Sequence, residues 1–322
     1  TCTYGRLIDE LDVGDRVLLA DGTVEFVVVS TTDNDATCRV VQPGEIRSRQ
    51  GVNLPGVRLS TPAMSEKDRE NARWAARNGA DYVSLSFVRS AEDVQQLKRL
   101  LEQEDSSAST IAKIEKPEAL EELDAIVQAA DGIMVARGDL GVEIDVAEMP
   151  VEQKRIIDVC ARWERPVIVA TQMLDSMQRS SRPTRAEVTD VANAILDGTD
   201  ACMLSGETAI GKYPCESVRM MNRIMRSTEA MLGRRDQKSR PADTSPNRVH
   251  PVTSAVVRGA GRIAADLHAK LVVIATRSGA TALTKAKQRD FIPTVAVSDC
   301  ESTLRRMCLF WGINPVPGAP AN

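Results

Sequence analysis

The chain has 322 residues, 43% of them hydrophobic, enough for two or three domains with cores of their own. Forty-one Lys and Arg against 45 Asp and Glu give a net charge of -4, which argues against a nucleic-acid surface and points to small-molecule partners. No apolar run approaches the roughly 20 residues of a membrane span, the N-terminal segment lacks a signal peptide's apolar core, and the sequence is expected to be cytoplasmic. Seven scattered cysteines without a CxxC pair suit reduced thiols, and two histidines, His250 and His268, leave little room for a histidine triad or zinc site.

From Arg6 to about Val52, short β-branched runs alternate with Asp-Gly, Asp-Asn and Pro-Gly turn signals, which predicts a small all-β module. From about Arg58 to Leu232 the pattern becomes buried strands, each followed by an amphipathic helix: 81–89, 110–115, 132–139, 166–173 and 200–207. Each apolar run ends in polar residues: Arg89, Lys113 with Glu115, Arg137 with Asp139, Thr171 with Gln172, Ser205 with Glu207. That regularity predicts a (β/α)8 barrel of the TIM type, whose strand C-termini meet at one mouth. A doubly wound sheet would concentrate polar residues at one switch point and show a glycine-rich loop after its first strand. Five strands do not close an eight-stranded barrel, so the expectation is a partial barrel, strands 4–8. A polar linker, 233–251, precedes a smaller α/β region with a helix from Thr253 and strands at 271–276 and 294–299. The domain boundaries expected are 1–57, 58–235 and 236–322.

Two carboxylates at neighbouring strand ends, Glu115 and Asp139, suit a hard cation such as Mg2+ or Mn2+, and pairing with Lys113 or Arg137 in a structural ion network is the alternative. Lys113 lies two residues before Glu115 and so faces the same side of its strand. Its ammonium can neutralise a transferring phosphoryl group; a Schiff base is the rival, opposed by carboxylates that hold the amine protonated, and a solvated lysine the bland reading. Gly138 lets backbone amides approach an anion, with Arg137 opposing the local negative charge. Thr171 supplies a hydroxyl for a carboxylate oxygen or a proton relay, or is an ordinary strand-end threonine; Ser205 and Glu207 sit one strand further round. The loop Thr276, Ser278, Gly279, Thr281 follows a strand and opens a helix, as a phosphate seat or a simple cap.

The blocks QGVNLPG (50–56), SEKD (65–68), SFVR (86–89), KIE (113–115), GIMVARGDLG (132–141), ATQML (170–174), RPTRAEVTDVANAILDG (182–198) and MLSGET (203–208) closely resemble pyruvate kinase in order and spacing. The resemblance implies phosphoryl transfer from phosphoenolpyruvate to ADP, giving ATP and the enolate of pyruvate, the last step of glycolysis. It assigns Lys113 to the transferring phosphoryl, Glu115 and Asp139 to Mg2+, Gly138, Asp139 and Thr171 to the substrate carboxylate, and Thr171 and Ser205 to the enolate's proton route. It makes the β-module a lid, the segment 182–194 part of a subunit contact in a homotetramer, and 276–281 a sugar-phosphate effector loop. It also implies K+, whose ligands belong to three barrel strands ahead of the lid that have no counterpart here. The family's lysine before GVNLPG is Gln50 in this chain, with Arg49 beside it as a nucleotide contact. By the same resemblance the chain begins inside the lid, stops short of the C-terminal domain's last strands, and is not expected to catalyse alone. Two other readings remain: a truncated, non-catalytic homologue acting as a binding or regulatory module, and a Mg2+-dependent enolate lyase or aldolase on a related barrel.

Overall fold

A computed structural model describes residues 4–20, 22–48, 50–57, 59–233 and 249–318, so Arg49 lies outside the described residues. The β-branched N-terminal runs form four antiparallel strands: β1 (Arg16–Leu19), β2 (Val24–Thr31), β3 (Ala36–Gln42) and β4 (Val52–Asn53), in the order β3-β2-β1-β4. Leu11, Val28 and Leu54 are their buried centre.

The segment that follows alternates strand and helix: α1 (Glu66–Arg77), β5 (Tyr82–Leu85), α2 (Ala91–Gln103), β6 (Ser109–Ile114), α3 (Pro117–Glu121), α4 (Leu123–Ala129), β7 (Gly132–Ala136), α5 (Arg137–Glu143), α6 (Met149–Arg162), β8 (Val167–Ala170), α7 (Arg185–Asp197), β9 (Ala201–Met203), α8 (Gly206–Ala209) and α9 (Pro214–Leu232). Ser65 with Asp68, Ser90 with Asp93 and Thr184 with Glu187 close reciprocal capping boxes at α1, α2 and α7, each cap contributing about 1 kcal/mol. The SEKD block is therefore a helix start. Strands β5 to β9 are parallel and stand in strict chain order, with no reversal. A doubly wound sheet requires a reversal, whereas a sector of a (β/α) barrel has none.

Alternation separates the two faces of this sheet. Val83, Leu85, Ala112, Ile114, Ile133, Val135, Val167 and Val169 pack outward against the helices in the main core. Tyr82, Ile111, Met134, Ile168, Ala170 and Met203 point inward and meet Leu309 from the C-terminal region. All five strands end earlier than the sequence predicts. The strand read at 132–139 stops at Ala136, so Arg137, Gly138 and Asp139 belong to the first turn of α5.

The C-terminal region holds α10 (Pro251–Asp266), β10 (Val272–Ala275), α11 (Ala280–Ala286), β11 (Thr294–Ser298), α12 (Glu301–Met307) and β12 (Ile313–Pro317), with parallel strands in the order β10-β11-β12. Strand β12 is not evident in the sequence because it carries Pro315 and Pro317, which an edge strand tolerates. Among the described residues no helix is long and apolar enough to cross a membrane.

This region docks beneath the barrel sector through buried charge. Asp200, just before β9 and without side-chain exposure, accepts from the Val167 amide at 2.8 Å, from Lys287 Nζ at 2.5 Å and from the Arg289 guanidinium at 2.9 Å. Arg289 also bonds the Gly198 carbonyl and lies 4.7 Å over the Trp311 ring. Burial lowers the Lys287 pKa, opposed by the Asp200 carboxylate. Asp200→Asn leaves two buried cations without their carboxylate and is expected to destabilise the chain by about 3–5 kcal/mol. Chemical denaturation that shows less than about 0.5 kcal/mol, the scatter of an ordinary surface change, overturns that account of the docking.

Thiol chemistry divides along the same lines of burial. Burial pushes Cys160 and Cys202 up to about 12, whereas hydrogen bonding to Ser302 and Thr303 brings Cys300 down to about 7. Iodoacetamide at pH 7.5 is expected to alkylate Cys300 well before Cys160 or Cys202, read by peptide mass spectrometry.

Candidate functional site

Parallel register brings the candidate side chains to one rim. Ile114 pairs with Val135 and Ala136 with Ala170, so Glu115 leaves β6 level with the start of α5, and Thr171 leaves β8 beside it. Lys113, with the parity of inward-facing Ile111, places its ammonium 2.6 Å from Glu115 Oε1 and donates to Ser86 Oγ at 3.0 Å. Ser86, after β5, is a partner that sequence spacing does not reveal. Glu115 is 1% exposed; its Oε2 accepts the Phe87 amide at 2.7 Å, while Oε1 lacks a hydrogen bond of good geometry and has only the ammonium as a recorded partner. A fully buried carboxylate oxygen without a directional donor is suited to a hard cation. Among the described residues no set of three or more His, Cys, Asp or Glu side chains is arranged to hold a metal, so a cation at Glu115 and Asp139 must draw its other ligands from water or substrate.

The turn after β8 is strained. Thr171 and Gln172 have φ of 69° and 52°, consecutive left-handed positions, and Thr171 is β-branched, for which this region is rare. Two groups from α5 hold it. The Gly138 amide donates to Thr171 Oγ1 at 2.7 Å, and that hydroxyl donates to the Ala170 carbonyl at 2.7 Å. A Cβ on Gly138 would lie 3.4 Å from Thr171 Oγ1, in ordinary van der Waals contact with it. Arg137 donates to the carbonyls of Thr171 at 2.9 Å and Gln172 at 3.3 Å, and to Asp190 of α7 at 2.7 Å. Its charge is thus spent on the backbone that presents Thr171. Asp190 is a further residue that spacing does not single out.

Glu207, 1% exposed, accepts from the amides of Leu174 at 2.9 Å and Ser205 at 2.8 Å, bracing the β8 turn against the β9 turn. Ser205 Oγ is buried without a hydrogen-bond partner. The lid lies over the same end of the sheet: a Cβ built on Gly22, in the β1–β2 turn, would lie 3.7 Å from Val142 of α5. Arg89 donates to the carbonyls of Leu59 and Thr61, which lead out of the lid.

Other candidates stand apart from this rim. Gln50 turns back on its own loop, its Oε1 accepting the Arg47 amide at 2.9 Å. In the C-terminal loop, Thr276 Oγ1 accepts the Gly279 amide at 3.1 Å and Ser278 Oγ the Ala280 amide at 3.4 Å, so both hydroxyls turn back on the loop that leads into α11. Gly279 has φ of 84°, a backbone that favours glycine, and Thr281 occupies the first turn. Ser278 and Gly279 line a cavity of about 310 Å³ with Tyr82, Ser109 and Asp131, at the strand N-termini and hence the opposite end of the sheet from Lys113.

This geometry has close counterparts among known proteins. The family model described as pyruvate kinase, barrel domain, matches residues 1–218, and that described as pyruvate kinase, alpha/beta domain, matches residues 254–321. The pyruvate kinase of Geobacillus stearothermophilus is 44% identical over 317 residues, covering 97% of this chain and 53% of the relative; that of Staphylococcus aureus strain MRSA252 is 42% identical over 316 residues, covering 98% and 54%. The crystal structure of a pyruvate kinase from Cryptosporidium parvum superimposes with a TM-score of 0.89 at 35% identity, covering 98% of this chain and 66% of that one. The chain spans about half the length of the curated relatives it matches. On its sequence and its fold alike, the chain belongs to the pyruvate kinase family.

Proposed function

We propose that the rim formed by β6, β7 and β8 is the phosphoryl-transfer site of a pyruvate kinase, moving phosphate from phosphoenolpyruvate to ADP to give pyruvate and ATP. The observation that carries this reading is the Lys113 ammonium, held on the inner face between Ser86 and a buried Glu115, in a sheet whose strand β8 leads into the strained Thr171 turn. Membership of the family implies a metal-dependent reaction. Glu115 and Asp139 would hold the divalent cation, Mg2+ or Mn2+, which supplies charge neutralisation to phosphoryl oxygens when bound.

Lys113 adds a second positive centre where negative charge is shared between the leaving enolate oxygen and the incoming ADP oxygen. Its ion pair with Glu115 at 2.6 Å suits electrostatic stabilisation and not imine formation. The substrate carboxylate is assigned to the α5 entry and Thr171. To receive it, Thr171 Oγ1 exchanges its bond to the Ala170 carbonyl for one to the ligand while still accepting from Gly138. The unpartnered Ser205 hydroxyl, one strand on, is assigned with Thr171 to the route that delivers a proton to the enolate carbon. The lid above α5 excludes water that would otherwise take the phosphoryl group. Gln50 with Arg49 is assigned to the nucleotide, the loop 276–281 to a sugar-phosphate effector, and the cytoplasm to the whole, where free thiols persist.

Joined to the barrel strands that the resemblance places ahead of the lid, the chain is expected to form ATP from phosphoenolpyruvate and ADP. In that protein Lys113→Met is expected to lower kcat by about a thousandfold or more, the scale of losing one preorganised charge at a reacting group, with the unfolding midpoint unchanged. Near-normal turnover in the variant overturns the role of Lys113, and no turnover in the joined parent favours a binding or regulatory module. Arg137→Met is expected to destabilise the chain by about 1–3 kcal/mol, since it leaves two strained carbonyls without their donor and removes the partner of the partly exposed Asp190; an unfolding free energy within about 0.5 kcal/mol of the parent removes that support for the Thr171 turn.

A further inference from the structure

The two carboxylates assigned to the cation come from different elements. Glu115 follows β6, and Asp139 sits in the first turn of α5, which follows β7. Backbone pairing ends at Ile114 with Val135, so no strand hydrogen bond fixes the distance between them. An ion pair among the described residues spans this gap. Lys116, the residue after Glu115, places Nζ 2.6 Å from Oε1 of Glu143, four residues after Asp139 on α5. Residues four apart share one helix face, so Asp139 lies on the face of α5 from which Glu143 meets Lys116. The contact is well shielded: the side chains of Lys116 and Glu143 are 16% and 2% exposed. Lys116 is the N-cap of α3 but makes no side-chain cap bond, so its reach across to α5 is not a by-product of helix capping. A buried ion pair adds little net stability compared with an apolar pair of the same shape, and its directional geometry offers registry instead.

We propose that Lys116 and Glu143 are positioning residues that fix the spacing of the Glu115 and Asp139 carboxylates and thereby set the affinity of the chain for a divalent cation. The inference rests on the assignment of Glu115 and Asp139 to the metal. It makes a prediction opposite in sign to simple electrostatics. Removing the Lys116 charge makes the neighbourhood more negative, which alone would draw a cation more tightly. If the pair acts as a spacer, the same change weakens binding.

The test titrates Mn2+ into the full chain alone and follows free Mn2+ by electron paramagnetic resonance, with thermal unfolding of every variant alongside. The unsubstituted chain is expected to bind Mn2+, and Glu115→Gln to abolish that binding. Lys116→Met is expected to raise the dissociation constant about tenfold, the scale found for partners that orient metal ligands. The exchange Lys116→Glu with Glu143→Lys, which keeps the pair and reverses it, is expected to recover affinity to within about threefold of the parent on the same scale. Lys154→Met breaks a more exposed pair with Asp197 between α6 and α7 and serves as the control for loss of an ion pair between helices. Unchanged or tighter binding in Lys116→Met, no recovery in the exchange, or equal weakening in Lys154→Met overturns the positioning role. No Mn2+ binding by the parent, or binding that survives Glu115→Gln, overturns the metal assignment and this inference with it.

Discussion

The site depends on one constraint, the common direction of β5 to β9. Because the five strands are parallel and follow one another in chain order, the residue after each of them arrives at the same rim. Period two then decides which side chains can enter the mouth. Lys113 shares the inward parity of Ile111, and a slip of one residue in β6 would bury the ammonium in the apolar layer that Ile114 now fills. Packing of the outer face against the helices therefore enforces the polarity of the inner one.

On that frame the rim is held in a conformation its local sequence would not choose. Left-handed Thr171 and Gln172 cost on the order of 1–3 kcal/mol each, and they persist because Arg137 and Glu207 bond the backbone around them and the Gly138 amide bonds the Thr171 hydroxyl. A hydroxyl presented this way has lost its rotational and backbone freedom before any ligand arrives. Such preorganisation is what electrostatic catalysis requires of its donors.

Much of this was legible in the sequence, and the limit is physical. Parallel strands with polar ends announce themselves through runs such as IMVA and VIVA, because burial on both faces demands continuous apolar residues. Glu115, Asp139 and Thr171 stand out because each comes after such a run, and Lys113 because it interrupts one. Strand ends were overextended, as at Asp139, since nothing in a polar residue says whether it ends a strand or opens the helix beyond. The partners were hidden for another reason. Ser86, Asp190 and Glu143 lie 27, 53 and 27 residues from Lys113, Arg137 and Lys116, and pairing over such distances is a property of the closed fold and not of spacing. Asp200, 87 residues from Lys287, is hidden in the same way.

The N-terminal β-module is fastened to the barrel sector by hydrogen bonds at its base. Glu10 accepts from the Ser60 amide and hydroxyl and from Tyr4, so the incoming and outgoing passes of the chain are cross-bonded at one level, and Arg89 grips the carbonyls on either side of Ser60. The β-module is thereby fastened at one level to the segment after β5. That segment carries both Arg89 and Ser86, so the residues that hold the module are continuous with the one that partners Lys113.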